Sequence, residues 1–344
     1  MLLIGIDEAG YGPKLGPLCH GYSVFRCTET KGQNSHDLWP LLHPAVMRHP
    51  ATGGSITVDD SKKVYSSELG LDLLTRGVSA FLESIVRARR RPPSPSPLPQ
   101  GEGEIGGVAA PDALYQRLLP EADRARLEED PWAQAAGQFT SPLPLREGVG
   151  GGPSPQVTLK ETLKTKRLSV LALGARALSA KHFNAALGRQ ANKAEVSWSI
   201  IGAELQRLFA LCANRERIHV IIDRQGGRKF YAAQLGALFP GAVPWAEREE
   251  PEASVYRIEA TGRTVRVAFL VNAESSSLPV ALASMAAKLA RELCMARLNL
   301  FFKSHIPDLE PTAGYALDAR RFLRETKAVR KKLGIEDSAF VRIR

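Results

Sequence analysis

LIGIDEAGYGPKLGPL, residues 3–18, closes an apolar run on two adjacent carboxylates, Asp7 and Glu8, and follows them at once with glycines and prolines. The run reads as a buried strand. Neighbouring strand residues point to opposite faces, so Asp7 and Glu8 share one site only where the strand ends or bends. Gly10, Gly12 and Pro13 supply that bend. Two carboxylates at the end of an otherwise apolar strand are costly without a partner, which marks the pair for chemistry.

A third acid occupies the same kind of position. IHVIIDRQGG reads as a buried strand ending on Asp223 at a glycine pair, and open α/β sheets place their ligands at such carboxyl ends. LPVALASMAAKLARELCMARLNLFF is the strongest helical stretch, with Pro279 acceptable in its first turn. Its Ser284, Lys288 and Glu292 recur four apart and so share one face. Asp7, Glu8, Asp223 and Glu292 gathered in one cleft would repel each other unless hard cations such as Mg²⁺ or Mn²⁺ neutralised them. Two ions about 3.5–4 Å apart can activate a water and stabilise the leaving oxygen of a phosphodiester. Singly, each acid has a plainer reading. A strand-end acid is usually a turn former or cap, and Glu292 has Arg291 and Arg297 nearby as ion-pair partners. The set as a whole points to a metal-dependent nuclease.

At 344 residues and 44% apolar content the chain can bury a large core. LLIGIDEAG, LCHGYSVFRC and VLALGARALSA read as strands, and YRIEATGRTVRVAFLVNAE as a hairpin turning at Thr261–Arg263. Helices are expected over 66–90, 194–213 and 318–332. Strands alternating with helices indicate an α/β fold. Two Pro/Gly-rich stretches, 91–109 and 140–156, nearly repeat each other as SPLPQGEGEIGG and SPLPLREGVGGG and could not pack a core. Between them PDALYQRLLPEADRARLEEDPW has a short helical pattern broken at Pro120, expected to form an appendage. The division is therefore 1–90 with 157–344 as the ordered domain and 91–156 as an insertion.

A net charge of +10 favours anionic partners without separating nucleic acid from lipid or acidic protein. Cys19, Cys27, Cys212 and Cys294 have neither zinc nor disulfide spacing, which fits a reducing cytoplasm. The first apolar run lacks a basic head and breaks at Asp7, against a secretory signal, and no run approaches membrane-spanning length.

At this point the sequence resembles ribonuclease HII. GIDEAGYGPKLGPL resembles that family's opening strand and glycine turn, DDSKKV (59–64) its aspartate-serine-lysine-lysine segment, and IIDRQG the strand with its third acid. LASMAAKLARELCM resembles its serine-, lysine-, arginine- and acid-bearing helix, and AGYAL (313–317) its glycine-tyrosine segment. The motifs keep the family's order over roughly the first 25 residues, 58–90 and most of 157–344. The resemblance implies a ribonuclease H-like fold, a mixed five-stranded sheet flanked by helices with a helical C-terminal part. It further implies Mg²⁺- or Mn²⁺-dependent cleavage of RNA in RNA–DNA hybrids or of single ribonucleotides in duplex DNA, and a monomer is expected. Asp7, Glu8, Asp223 and Glu292 would be the metal-binding acids. Backbone groups of Gly10, Tyr11 and Gly12 would read the ribose 2′-hydroxyl. Lys62, Lys63 and Lys288 would hold phosphates beside Ser284, and Tyr315 would pack on the sugar next to the cut. Tyr11 stands where the family usually has arginine, and Glu292 where it has aspartate.

GEGEIG (101–106) matches a dinucleotide fingerprint only formally, since prolines and no strand precede it. The proline runs near Pro92 and Pro142 could bind SH3-like partners, but an insertion with no selected partner is the better reading. RARRR and RETKAVRKK (324–332) could track a phosphate backbone or form a solvated helix face. His219 and His305 have no metal-ligand spacing. Two further readings stay open: a nucleic-acid-binding protein of the same fold with weak or lost catalysis, and a superfamily nuclease with another substrate such as a DNA junction.

Overall fold

The computed structural model describes residues 1–28, 37–49, 54–66, 70–86, 104–105, 108–109, 111–133, 155–190, 192–210, 217–224, 226–260 and 263–343. Strands β1 (Leu2–Ala9), β2 (Leu18–Cys27), β3 (Leu168–Leu178), β4 (Ile218–Asp223), β5 (Trp245–Glu249), β6 (Ala253–Ala260) and β7 (Arg263–Leu270) form one seven-stranded sheet in the order β3-β2-β1-β4-β7-β6-β5. Strand β4 runs parallel to both of its neighbours, β1 and β7, while the remaining pairs are antiparallel. The sheet is thus mixed and flanked by helices, as expected, but has seven strands rather than five. Strand β6 completes the expected hairpin with β7, whereas β5 has no counterpart among the expected strands. Every residue of β5 is exposed, and a strand solvated on both faces carries no hydrophobic period to read.

The LLIGI run lacks alternation because both of its faces are covered. Leu2, Ile4 and Ile6 pack with Ile201 and Leu205 of helix α6 (Lys193–Ala210), and Leu3 packs with the 28-residue helix α7 (Leu278–His305). Helix α7 crosses β1 and β2 at van der Waals contact of the two backbones. A Cβ on Gly21 would lie 1.9 Å from the Ala283 oxygen, and one on Gly5 2.2 Å from the Pro279 carbonyl carbon. Only glycine permits that approach, and Ser23 Oγ seals it by donating to the Pro279 carbonyl at 2.7 Å.

Helices α1 (Ser61–Val64) and α2 (Asp72–Glu83) pack on the α7 side, the latter shorter than the expected 66–90. The presumed appendage is in fact docked. Helices α3 (Pro111–Leu118) and α4 (Glu121–Leu127), separated at Pro120, bury Leu114, Tyr115, Leu118 and Leu127 in the main core. Asp123, 2% exposed, accepts from Arg176 Nε and Nη2 of β3 at 2.8 and 2.9 Å and from the Ala177 N–H at 3.0 Å. Arg297 of α7 donates to Asp112 at 2.6 Å. The short amphipathic pattern is legible in the sequence; the complementary charges on β3 and α7 that dock it are too distant along the chain to connect. Most of the two low-complexity stretches, RARRR and Cys212 lie outside the described residues.

The C-terminal part is helical. After α5 (Ala180–Leu187), α6 and α7, the chain forms α8 (Ala316–Glu325), α9 (Lys327–Lys332) and α10 (Asp337–Phe340) around Phe302, Phe322 and Phe340. The single helix expected over 318–332 breaks at buried Thr326, whose hydroxyl turns back to the Phe322 carbonyl at 2.7 Å. No helix among the described residues is long and apolar enough to cross a membrane.

Candidate active site

The site is set by register. Strands β1 and β4 pair in parallel with Ile6 beside Ile222, so one residue further Asp7 lies beside Asp223 on the adjacent strand, with the same face toward α7. Ser284 of α7, brought down by the close crossing, reaches the Asp7 carboxyl and lies 3.0 Å from Ser61 Oγ of α1. The Glu8 N–H donates to Asp7 Oδ1 at 2.7 Å. On the other side of Asp223 its register partner is Leu270, the last residue of β7. The chain then turns through Asn272, at φ +53°, into a 3₁₀ turn, Ala273–Ser275. The Ala273 N–H donates to Asp223 Oδ1 at 2.8 Å, which seats the turn on the acid.

That turn carries Glu274, which is 6% exposed. Its Oε2 is buried without a hydrogen-bond partner among the described residues. Burial, then the Glu8 and Glu274 charges, push the Asp7 carboxyl well above the usual carboxylate range, against the pull of Ser284. Asp223 is pushed up likewise, by burial first and then by the Asp7 charge. Burial works against the Lys62 ammonium, but the carboxylates of Asp60, Glu274, Asp7 and Asp223 together hold its pKa above the ordinary value. Glu8, on the opposite strand face, borders the same strand end, and its charge acts on both Asp7 and Tyr11.

Of the four acids nominated from sequence, three border this strand end and Glu292 does not. Glu292 lies two helical turns beyond Ser284, roughly 12 Å along the axis at about 1.5 Å per residue. There it accepts from Lys288 at 2.8 Å, Tyr65 Oη at 3.0 Å and Arg291 at 3.4 Å. Its spacing gives it the right face of the helix at the wrong height. Glu274 stands with the strand-end acids instead, and a cue for it exists in the sequence: it lies just past the carboxyl end of a strand, as Asp223 lies at the end of another.

The substrate candidates divide. Lys62 is exposed and within reach of the acids' charges, whereas Lys63 turns to Asp59 at 3.2 Å and Lys288 is held by Glu292 over the Tyr65 ring, 4.3 Å from its centroid. Gly10, Tyr11 and Gly12 form the turn leaving β1, with Gly10 at φ +88°. Tyr315, 54% exposed, opens α8. Arg291, next to Glu292, donates to the Ala313 carbonyl at 2.9 Å, two residues before Tyr315, which puts Tyr315 on the Glu292 side of the site.

The donor set suits a hard divalent cation: carboxylate oxygens only, neither thiolate nor imidazole. The orphaned Glu274 oxygen and the two upward-shifted aspartates are the residues of a site short of positive charge. Among the described residues no group of three or more His, Cys, Asp or Glu side chains is arranged to hold a metal ion.

No family model and no curated protein matches the chain. Solved structures do. Ribonuclease HII from Archaeoglobus fulgidus, in a complex with PCNA, is 16% identical over 100% of this chain and 95% of its own, with a TM-score of 0.40. Ribonuclease H2 from Pyrococcus horikoshii OT3 is 14% identical over 99% and 92%, with a TM-score of 0.37. A point mutant of Bst-RNase HIII is 15% identical over 99% and 65%, with a TM-score of 0.47. At these identities and scores the likeness assigns no activity to this chain.

Proposed function

We propose that the chain is a divalent-metal-dependent endonuclease of ribonuclease HII type, cutting the RNA strand of RNA–DNA hybrids or single ribonucleotides in duplex DNA. The observation that carries this reading is the meeting of Asp7, Asp223 and Glu274 at three neighbouring strand ends, with Glu8 beside them, in a chain whose motifs follow that family's order. These four acids would hold Mg²⁺ or Mn²⁺, which supplies a Lewis acid and a water of lowered pKa. Ser284 orients the Asp7 carboxylate, and Ser61 Oγ lies 3.0 Å from the Ser284 hydroxyl. The Lys62 ammonium, held charged by the acids around it, would hold a substrate phosphate. Lys63 and Lys288 would reach phosphates only with the donors left over from Asp59 and Glu292. The Gly10–Gly12 backbone would read the 2′-hydroxyl, and the exposed Tyr315 ring would cover the adjacent sugar.

Purified protein with Mn²⁺ should nick a duplex carrying one ribonucleotide, and Asp7→Asn, Asp223→Asn or Glu274→Gln should abolish nicking. Equal cleavage by wild type and variants contradicts the proposal. Equal cleavage of an all-DNA duplex moves the substrate assignment to another nuclease of the superfamily, and salt-sensitive hybrid binding without cleavage under any divalent ion selects a binding protein. That last alternative rests on Tyr11 and Glu292, the two departures from the family's pattern, of which Glu292 sits away from the strand-end acids.

A further inference from the structure

The turn that leaves β1 keeps an unusual shape under load from several elements. Gly10 is in the left-handed region, and a Cβ there would meet the Arg291 side chain at 2.7 Å. The Lys14 and Leu15 N–H groups both donate to the Gly314 carbonyl, at 2.8 and 3.2 Å. From the opposite flank the segment after α10 lies across the turn. The Arg342 N–H donates to the Lys14 carbonyl at 2.9 Å, and the Arg342 guanidinium donates to the carbonyls of both Gly10 and Pro13.

Arg342 is 4% exposed, and among the described residues its acceptors are main-chain carbonyls and no carboxylate pairs with it. A buried guanidinium without a counter-ion is costly, so its placement calls for a reason. Burial and the nearby Arg291 charge push it down to about 10, which leaves it charged at neutral pH. The segment that carries it is itself fixed. Phe340 packs on Trp132 and Phe302, and Asn184 of α5 donates to the Ser338 and Val341 carbonyls, both at 2.7 Å, and accepts from the Ile343 N–H at 2.9 Å.

The peptide plane supplies the reason. In a trans peptide the C=O and the following N–H point in opposite directions, so a Gly10 carbonyl turned onto Arg342 aims the Tyr11 N–H away from it. A charged donor on the carbonyl also polarises that peptide and strengthens its N–H as a donor. No main-chain partner occurs among the described residues for the Tyr11 or Gly12 N–H. We propose that Arg342 is a positioning residue, holding the Gly10 and Pro13 carbonyls so that the N–H groups between them face a ribose hydroxyl of the substrate. The proposal rests on the nuclease reading above for the identity of that hydroxyl.

The test compares full-length wild type, Arg342→Lys and Arg342→Gln at temperatures well below each melting point. Amide hydrogen exchange is read at Lys14 and Leu15, the turn amides bonded to the Gly314 carbonyl, together with kcat and KM on a duplex carrying one ribonucleotide. Arg342→Gln should speed exchange at Lys14 and Leu15 while β1, β4 and α7 keep their protection. It should lower kcat by about 10²-fold, the cost of roughly an ångström of misplacement, with KM within about threefold. Arg342→Lys should fall between, because one ammonium cannot fork across two carbonyls. Unchanged exchange at Lys14 and Leu15 overturns the proposal whatever the substrate, and faster exchange with an unchanged kcat overturns it for catalysis. Wild type that leaves the ribonucleotide intact, while exchange still depends on Arg342, overturns the nuclease reading and with it the ribose assignment.

Discussion

Glu274 and Glu292 make opposite predictions from the same substitution to glutamine. Glu292 is 13% exposed and bonded to Lys288 and Arg291, themselves 18% and 2% exposed, and to Tyr65. Neutralising it removes charge from hydrogen bonds worth about 1.5–3 kcal/mol each when one partner is ionised. Arg291 keeps the Leu15 and Ala313 carbonyls at 3.3 and 2.9 Å, which softens the loss to about 2 kcal/mol in all. At about 2 °C per kcal/mol for a chain of this size, melting should fall by about 4 °C. Nicking should survive at a reduced level. Glu274 has an orphaned oxygen and adds to the repulsion on both aspartates. Glu274→Gln should leave metal-free melting unchanged or slightly raised, yet lower nicking by more than the roughly 10–100-fold seen when a mere outer-shell partner of a metal is lost. Thermal melts without metal and nicking of a ribonucleotide-containing duplex with Mn²⁺ read both quantities. Loss of nicking in Glu292→Gln with melting unchanged, alongside an active Glu274→Gln, would reverse these roles.

The remaining predictions use other parts of the molecule. Asp7 has a folded pKa above its unfolded one, so it weakens the metal-free fold increasingly as pH climbs from the carboxylate range past neutrality. Asp7→Asn should therefore stabilise metal-free protein at pH 8 by at least about 1.4 kcal/mol, one pKa unit, with no gain at pH 4 and no response to Mn²⁺; equal effects at the two pH values would rule this out. Buried His20, 2.7 Å from Ser197 Oγ, has its pKa lowered to about 3 by burial and then by Arg176. Its contribution is intact above the ordinary histidine pKa and lost as pH falls below it, at up to about 1.4 kcal/mol per pH unit, so urea midpoints of His20→Gln should vary less between pH 6.5 and 4.5 than those of wild type. Asp123→Asn leaves Arg176 with Glu204 alone, at 3.2 Å, and should cost about 2–4 kcal/mol and open residues 111–133 to limited proteolysis. An unchanged digestion pattern would mean that the ion pair does not dock the insertion.

Runs that are apolar without interruption are readable because their burial is two-sided. LLIGI, IHVII and the long helix announce β1, β4 and α7, and the acids closing β1 and β4 announce the site. What the residues alone do not supply is height along an element and pairing between distant ones. Ser284, Lys288 and Glu292 do share a face of α7, but only Ser284 is level with the strand ends, because Gly5 and Gly21 let the helix cross there. Glu274 enters the site only through the parallel pairing of β7 with β4, a contact that no local period encodes. The same holds for Arg342, 332 positions from the carbonyl it grips.

The most direct measurement is an anomalous difference map from a crystal grown with Mn²⁺. Manganese peaks are predicted at about 2.1 Å from carboxylate oxygens of Asp7, Asp223 and Glu274. Saturating Mn²⁺ that leaves those oxygens bare, or that gathers at Glu292 instead, would contradict the account.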